Sequence, residues 1–240
     1  MNILAIDTAT EKFSVALGSI SDASSLENVW LFEVDAGLRH SELVMDCIDT
    51  LFKTAGLKPE DLSGVVCMGG PGSFTGLRIG FSIAKGLALS LGIPYAAIPT
   101  LDCMAHPFHA LPGIIVPVID AKKKAFFCAL YCKGKKLCPD MDAQPAEIAR
   151  ALSAALGEDP SQVILTGPGA QMLYAALPEN SAISPGTGLR WGNAETLIEI
   201  AVETQVLTHP PDYTLGPEYI RKSDAELVRI ISHRGTEARG

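Results

Sequence analysis

No apolar run in this chain reaches the ~18 residues that a membrane-crossing helix needs. The opening residues, Met1-Asn2-Ile3-Leu4-Ala5-Ile6-Asp7, carry no basic segment and meet an acid almost at once, unlike a secretory signal. Basic residues are scarce: 19 Lys and Arg stand against 27 Asp and Glu, a formal charge of −8. Strong binding to nucleic acid by this surface alone would need a basic face, which that balance argues against. Cysteine is sparse as well. The six (47, 67, 103, 128, 132, 138) are scattered, and Cys47 and Cys67 sit in apolar stretches, as reduced core thiols do. These absences indicate a cytoplasmic chain with no membrane partner. Catalytic signatures are missing too: no Gly-x-Ser-x-Gly elbow, no His-Glu-x-x-His pair and no glycine followed by Lys-Ser or Lys-Thr.

What is present suits a folded chain of one to two domains: 240 residues, 48% of them apolar and 19% charged. The apolar pattern predicts strands at Asn2 to Asp7, Phe13 to Gly18 and Val29 to Val34, an antiparallel meander. A helix follows from His40-Ser41, with Ser41 as its cap and Gly56 as its stop. The strand Val65 to Met68 runs into a glycine-rich turn, Gly69 to Gly76, and a helix from Thr75 to Leu91. That helix is apolar on two sides. Leu77, Gly80, Phe81, Ala84, Leu87, Ala88 and Leu91 make one face; Gly76, Ile79, Ile83, Gly86 and Ser90 make another. Such a helix is either sandwiched in the core or covered by a partner. Further strands are expected at Tyr95 to Ile98, Ile114 to Asp120, Ala125 to Cys132 and Val163 to Thr166. Helices are expected at Pro145 to Leu156, after Gly169 and at Asn193 to Val206.

The two halves open alike. Ile6-Asp7 followed by Phe13, Ala16 and Leu17 matches Ile119-Asp120 followed by Phe126, Ala129 and Leu130 at one constant offset, which predicts a duplication. The proline-rich stretch from Pro107 to Pro117 divides them. The expected division is 1–108 for the first lobe, 109–233 for a smaller second lobe, and 234–240 for a frayed tail. Two lobes, each with an Asp ending its first strand, suggest a cleft with facing carboxylates. The turns after them, Thr8-Ala9-Thr10 and Ala121-Lys122, hold no glycine to approach a phosphate, which weakens phosphoryl transfer. The glycine turn itself reads either as an anion site at a helix start or as a tightly packed structural turn.

Three further features have bland alternatives. Cys103-x-x-His106-x-x-His109 has metal-binding atoms, but Pro107 interrupts the spacing and no fourth ligand pattern lies nearby. His40, at a helix start, reads as a polar surface or interface group. Lys122, Lys123, Lys124, Lys133, Lys135 and Lys136 form the one basic patch, a solvated hairpin or an RNA contact.

Asp7-Thr8-Ala9-Thr10, Arg39-His40-Ser41-Glu42-Leu43, Gly70-Pro71-Gly72-Ser73-Phe74-Thr75-Gly76-Leu77-Arg78-Ile79-Gly80, Pro117-Val118-Ile119-Asp120-Ala121 and Pro217-Glu218-Tyr219-Ile220-Arg221 occur in that order over most of the chain. Together they resemble the TsaB (YeaZ) family. The resemblance implies an α/β, two-lobed actin-like fold of the acetate kinase/Hsp70/actin, ribonuclease H-like class, with a duplicated mixed β-sheet domain. It implies a non-catalytic scaffold in making N6-threonylcarbamoyladenosine beside the anticodon of tRNAs that read codons starting with A. The partners would be a TsaD-type catalytic paralogue and a TsaE-type ATPase, with a homodimer when alone and tRNA met only through the complex. The paralogue's His-x-x-x-His metal motif has no match here, so no catalytic and no metal residue is assigned. Carried over, the pairing surface falls on His40, Ser41, Met45, Gly72, Phe74, Gly76, Ile79, Ile83 and Gly86. Asp7, Thr8, Asp120, Gly167 and Gly169 would line a vestigial cleft, with ATP or ADP expected there or at the partner interface if anywhere. The competing expectation is a stand-alone ATP-dependent small-molecule kinase or transferase of the same fold; a metalloprotease is disfavoured by the missing metal motif.

Overall fold

The computed structural model describes residues 1–21, 25–37, 39–156, 162–180, 182–186, 190–208, 212 and 214–221. The expected tail at 234–240 lies outside them. In chain order the first half forms β1 (Asn2–Asp7), β2 (Lys12–Ile20), β3 (Leu26–Asp35), α1 (His40–Ala55), β4 (Gly64–Gly70), α2 (Phe74–Leu91), β5 (Tyr95–Pro99) and α3 (Thr100–Ala105). The second half forms β6 (Ile114–Asp120), β7 (Phe126–Cys128), β8 (Tyr131–Cys132), β9 (Lys135–Lys136), β10 (Met141–Ala143), α4 (Pro145–Leu156), β11 (Val163–Thr166), α5 (Ala170–Ala176), β12 (Ile183–Pro185) and α6 (Ala194–Thr204).

The two sheets have the same order. The first runs β3-β2-β1-β4-β5 and the second β10-β7-β6-β11-β12. In each, the opening strand pairs antiparallel with the strand that follows it (β1 with β2, β6 with β7) and parallel with a later one (β1 with β4, β6 with β11). This is the duplicated, two-lobed actin-like architecture that the repeat at Asp7 and Asp120 announces. The copies differ in one place. Ala125 to Cys132, expected as a single strand like β2, is split into β7 and β8. β7 pairs with Val118–Asp120 and β8 with Ile114–Ile115. Pro117 stands between the two paired stretches and has no N–H to give to an antiparallel neighbour.

Five layers result. α1 and α2 cover the outer face of the first sheet through Leu4, Ile6, Val44, Ile48, Leu51, Phe81 and Ala84. α4 and α5 cover the outer face of the second through Val116, Val118, Ile148, Leu152 and Leu173. Between the sheets lie α6 and α3. α6 buries Leu197, Ile198 and Ala201 against Ile3, Ala5 and Ala16 of the first sheet. α3 buries Leu101 and Met104 against Ile115, Ile119 and Phe127 of the second. α6, late in the chain, thus completes the core of the first lobe.

The caps follow from local chemistry. Gly56 and Gly92 close α1 and α2 in the left-handed conformation. Ser73 accepts from Gly76 N at the start of α2, and Asn193 accepts from Glu195 N at the start of α6. α1 departs from expectation. Its cap position is Arg39, without a side-chain cap bond, and Ser41 is exposed in the first turn.

Candidate functional site

The turn after Asp7 is closed on itself. Asp7 is 4% exposed, and its Oδ1 accepts from Ala9 N at 3.0 Å. Burial pushes its carboxyl up to about 7; the Glu33 charge adds to the rise, and bonds from Ala9 and Ser14 act against it. Ser14 in turn accepts from Ala194 N at 2.9 Å, so the start of α6 lies over this end of β1. Thr8 is buried and donates from Oγ1 to Gly76 O at 2.7 Å. Asp120 is half-buried and differs. Its Oδ1 accepts from Lys122 N at 2.8 Å and its Oδ2 pairs with Lys122 Nζ at 3.0 Å. Lys122 Nζ also lies 3.7 Å from Glu11, so an ion pair joins the two turns. Gly167 and Gly169 are packed on β6: a Cβ on the first would meet Val118 O at 2.7 Å, and on the second Asp120 N at 3.0 Å. The five residues expected to line a cleft thus carry contacts made within the fold.

The glycine turn is a packing device. A Cβ on Gly72 would stand 2.5 Å from Ala9 O, and one on Gly76 2.0 Å from Thr8 O. Three of its N–H groups are used internally. Gly70 N donates to Thr100 Oγ1 at 3.1 Å, Ser73 N to Ala9 O at 2.7 Å and Gly76 N to Ser73 Oγ at 3.3 Å. Of the two readings left open for this turn, the structural one fits these bonds. His40, expected as a polar surface or interface group, is buried: Nε2 donates to Thr10 O at 2.8 Å and the ring lies 5.6 Å from that of Phe13.

The outward side of α1 and α2 carries exposed apolar groups. Met45 is 51% exposed and Leu89 60%. Ile79 and Ile83 are half-buried, with part of each side chain on the first core. Gly86 is exposed, and among the described residues a Cβ there would meet nothing within 4 Å. Of the face expected from helical spacing, Ile79, Ile83, Gly86 and Ser90 are reachable from outside, while Gly76 is inside.

The Cys103, His106 and His109 side chains go separate ways. Cys103 is in the core, where burial raises its thiol pKa well above the ordinary value. His106 Nε2 pairs with Glu203 at 3.0 Å, and His109 Nδ1 donates to His106 O at 2.8 Å. Among the described residues no group of three or more His, Cys, Asp or Glu is arranged for a metal ion. Nor is any helix among them long and apolar enough to cross a membrane. In the lysine cluster, Lys136 pairs with Asp102 at 2.9 Å and Asp140 at 2.6 Å. Lys133-Gly134, both with positive φ, make the two-residue turn between β8 and β9.

Sequence reading left one constellation unassembled. Tyr219 stacks on Phe74 with centroids 4.5 Å apart, and Arg78 Nε donates to Tyr219 Oη at 3.1 Å. Beside it, residues 136–140 and 218–220 line a cavity of about 630 Å³. Phe74, Arg78 and Tyr219 were each inside a noted motif, but a separation of 141 residues leaves no sequence signal of contact.

A family model described as "TsaD: tRNA N6-adenosine threonylcarbamoyltransferase" matches residues 34–183. The chain is similar to the "tRNA threonylcarbamoyladenosine biosynthesis protein TsaB" of Bacillus subtilis, 36% identical over 131 residues, 55% of each chain. The Escherichia coli protein of the same description is 35% identical over 133 residues, again 55% of each. An uncharacterized protein of Mycobacterium tuberculosis is 31% identical over 182 residues, 75% of this chain and 74% of that one. The chain spans about half the length of the curated TsaB proteins it matches. Among solved structures, "YeaZ from Pseudomonas aeruginosa" superposes with a TM-score of 0.74 at 21% identity, covering 91% of this chain and 99% of that one, which supports the fold.

Proposed function

The chain belongs to the TsaB family, and on that premise we propose that it is a non-catalytic scaffold in the formation of N6-threonylcarbamoyladenosine on tRNA. It pairs through α1 and α2 with a TsaD-type paralogue, joined by a TsaE-type ATPase, and pairs with itself when alone. tRNA is met only through that complex, in the cytoplasm. The observation that carries this reading is Gly86. A glycine inside an exposed helix costs about 0.5–1 kcal/mol relative to alanine, and among the described residues nothing stands within 4 Å of a Cβ placed there. With Ile79 and Ile83 on the same helix, it suits the close approach of a second helix.

The test is a threonylcarbamoylation assay with tRNA, the donor adenylate and this protein, with and without a TsaD-type partner. Modification is expected only with the partner; modification by this chain alone overturns the scaffold reading. Gly86→Arg should abolish pairing and modification while the monomer stays folded, with its unfolding free energy unchanged or raised by up to about 1 kcal/mol, the gain of replacing a helical glycine. Unimpaired pairing of that variant would sink the α2 interface. One observation favours the stand-alone kinase or transferase: the raised pKa of Asp7 is of the kind found in catalytic acids. That reading requires ATP turnover by the isolated chain that Asp7→Asn removes.

A further inference from the structure

The motif Pro217–Arg221 has no part in the pairing reading, yet it has an anchor on each lobe. On the first lobe, Glu218 N donates to Gly69 O at 2.8 Å. Glu218 O occupies the space a Cβ on Gly70 would need, 2.4 Å from it. Tyr219 rests on Phe74 and receives the Arg78 Nε bond, while the Arg78 guanidinium lies 3.8 Å from the centre of the Phe74 ring. On the second lobe, Arg221 Nε donates to Asp142 Oδ2 at 2.6 Å and Nη2 completes the fork on Oδ1. Arg221 Nη1 donates to Ala121 O at 2.6 Å. Asp142 lies on β10 and Ala121 follows β6, so both ride on the second sheet.

A forked guanidinium–carboxylate pair fixes direction as well as distance. The two side chains are 27% and 19% exposed, which limits the screening that weakens surface pairs. Tyr219 and Arg221 are two residues apart, a reach of about 7 Å at full extension. There is no slack for the lobes to swing apart unless one anchor breaks.

We infer that Pro217–Arg221 is a latch that holds the two lobes at one angle. It thereby presents the start of α2 and the adjoining wall of the second lobe as one preformed docking surface. The cavity beside it is built across that junction, from residues 136–140 of the second lobe and 218–220 of the strap. Tyr219 belongs both to the cavity and to the cluster on α2. The lobe-fixing half of the inference stands on these contacts alone; the docking half rests on the proposed pairing.

Spin labels on non-natural residues at Thr54 of α1 and Ser153 of α4, both exposed, would read the distance between lobes in the full chain. The parent chain should give one narrow distribution. Arg221→Ala and Asp142→Ala should each broaden it, and the swap Asp142→Arg with Arg221→Asp should narrow it again. If Arg221→Ala does not fold, Arg221→Lys keeps the charge, loses the fork and should still broaden the distribution. Distributions as narrow as the parent's in these variants overturn the latch. Binding of a TsaD-type partner should weaken in Arg221→Ala in proportion to the molecules that keep the docked geometry, about tenfold if a tenth do. Parent-like affinity beside a broadened distribution overturns the docking half. Failure of the parent chain to bind the partner sinks the pairing reading and the docking half with it, while the distance measurement still decides the latch.

Discussion

Asp7 ends its strand with a carboxyl almost wholly out of water, and its titration follows from that. The ordinary value is 3.8 and the folded value about 7, with burial the largest cause. Between those values the folded chain holds a proton that the unfolded chain has released. The contribution to stability is therefore fully present below about pH 4 and is lost as pH rises through 7, about 2–3 kcal/mol of it between pH 5 and 8. Asp7→Asn keeps the oxygen that accepts from Ala9 N and removes the titration. Urea unfolding should show this variant gaining stability over the parent at pH 8, with a smaller difference at pH 5. A parent-like pH slope in the variant would place the effect elsewhere. The strand-ending position of Asp7 was legible from the apolar run before it. Its burial was not, because Ser14 and the start of α6 cover it from 7 and about 187 positions along the chain.

At the scale of elements, α2 shows how two glycines of one helix come to opposite roles. Helical spacing puts Gly76 and Gly86 on one face. The first turn of α2, however, is tucked beneath the turn after β1, where a Cβ on Gly76 would meet Thr8 O at 2.0 Å. The same helix emerges into solvent by Gly86. Gly86→Ala should stabilise the monomer by about 0.5–1 kcal/mol, the ordinary helix preference. Gly76→Ala should destabilise it by about 2 kcal/mol or more, as expected when a backbone contact must be forced apart. Thermal unfolding of both variants checks this, and equal signs would mean that the two sites share an environment. A helical wheel cannot separate these positions, since it knows the angle about the axis but not what crosses each end.

At the scale of the molecule, the third helix of each half packs on both sides of the gap between sheets. α6 buries Leu197 and Ile198 on the first sheet, and α3 buries Leu101 and Met104 on the second. A chain ended before Ala194 would expose Ile3, Ala5, Ala16 and Val66 together. At about 1.5–3 kcal/mol for each large side chain returned to water, the first lobe should not survive alone. Fragment 1–108 is expected to be aggregated or without near-ultraviolet dichroism; a soluble, cooperatively unfolding fragment would show that the lobe is self-sufficient.

Strand and helix positions, the glycine stops of α1 and α2, and the duplication were legible in the sequence because each rests on local periodicity or on a residue's own backbone preference. The five residues of β10, β12 and α3 whose neighbours matter most show the limit. Met141 and Ala143, Ile183, and Leu101 and Met104 sit in segments too short for any period to emerge, and pairing or burial alone makes them strands or a helix. Likewise the motifs around Phe74 and Pro217–Arg221 could be noted but not joined. Whether an aspartate faces water, which glycine a carbonyl presses against, and which lobe a helix completes are contacts between distant parts of the chain. Only the tertiary structure decides those, because the energies involved, desolvation and close packing, do not exist until the partners meet.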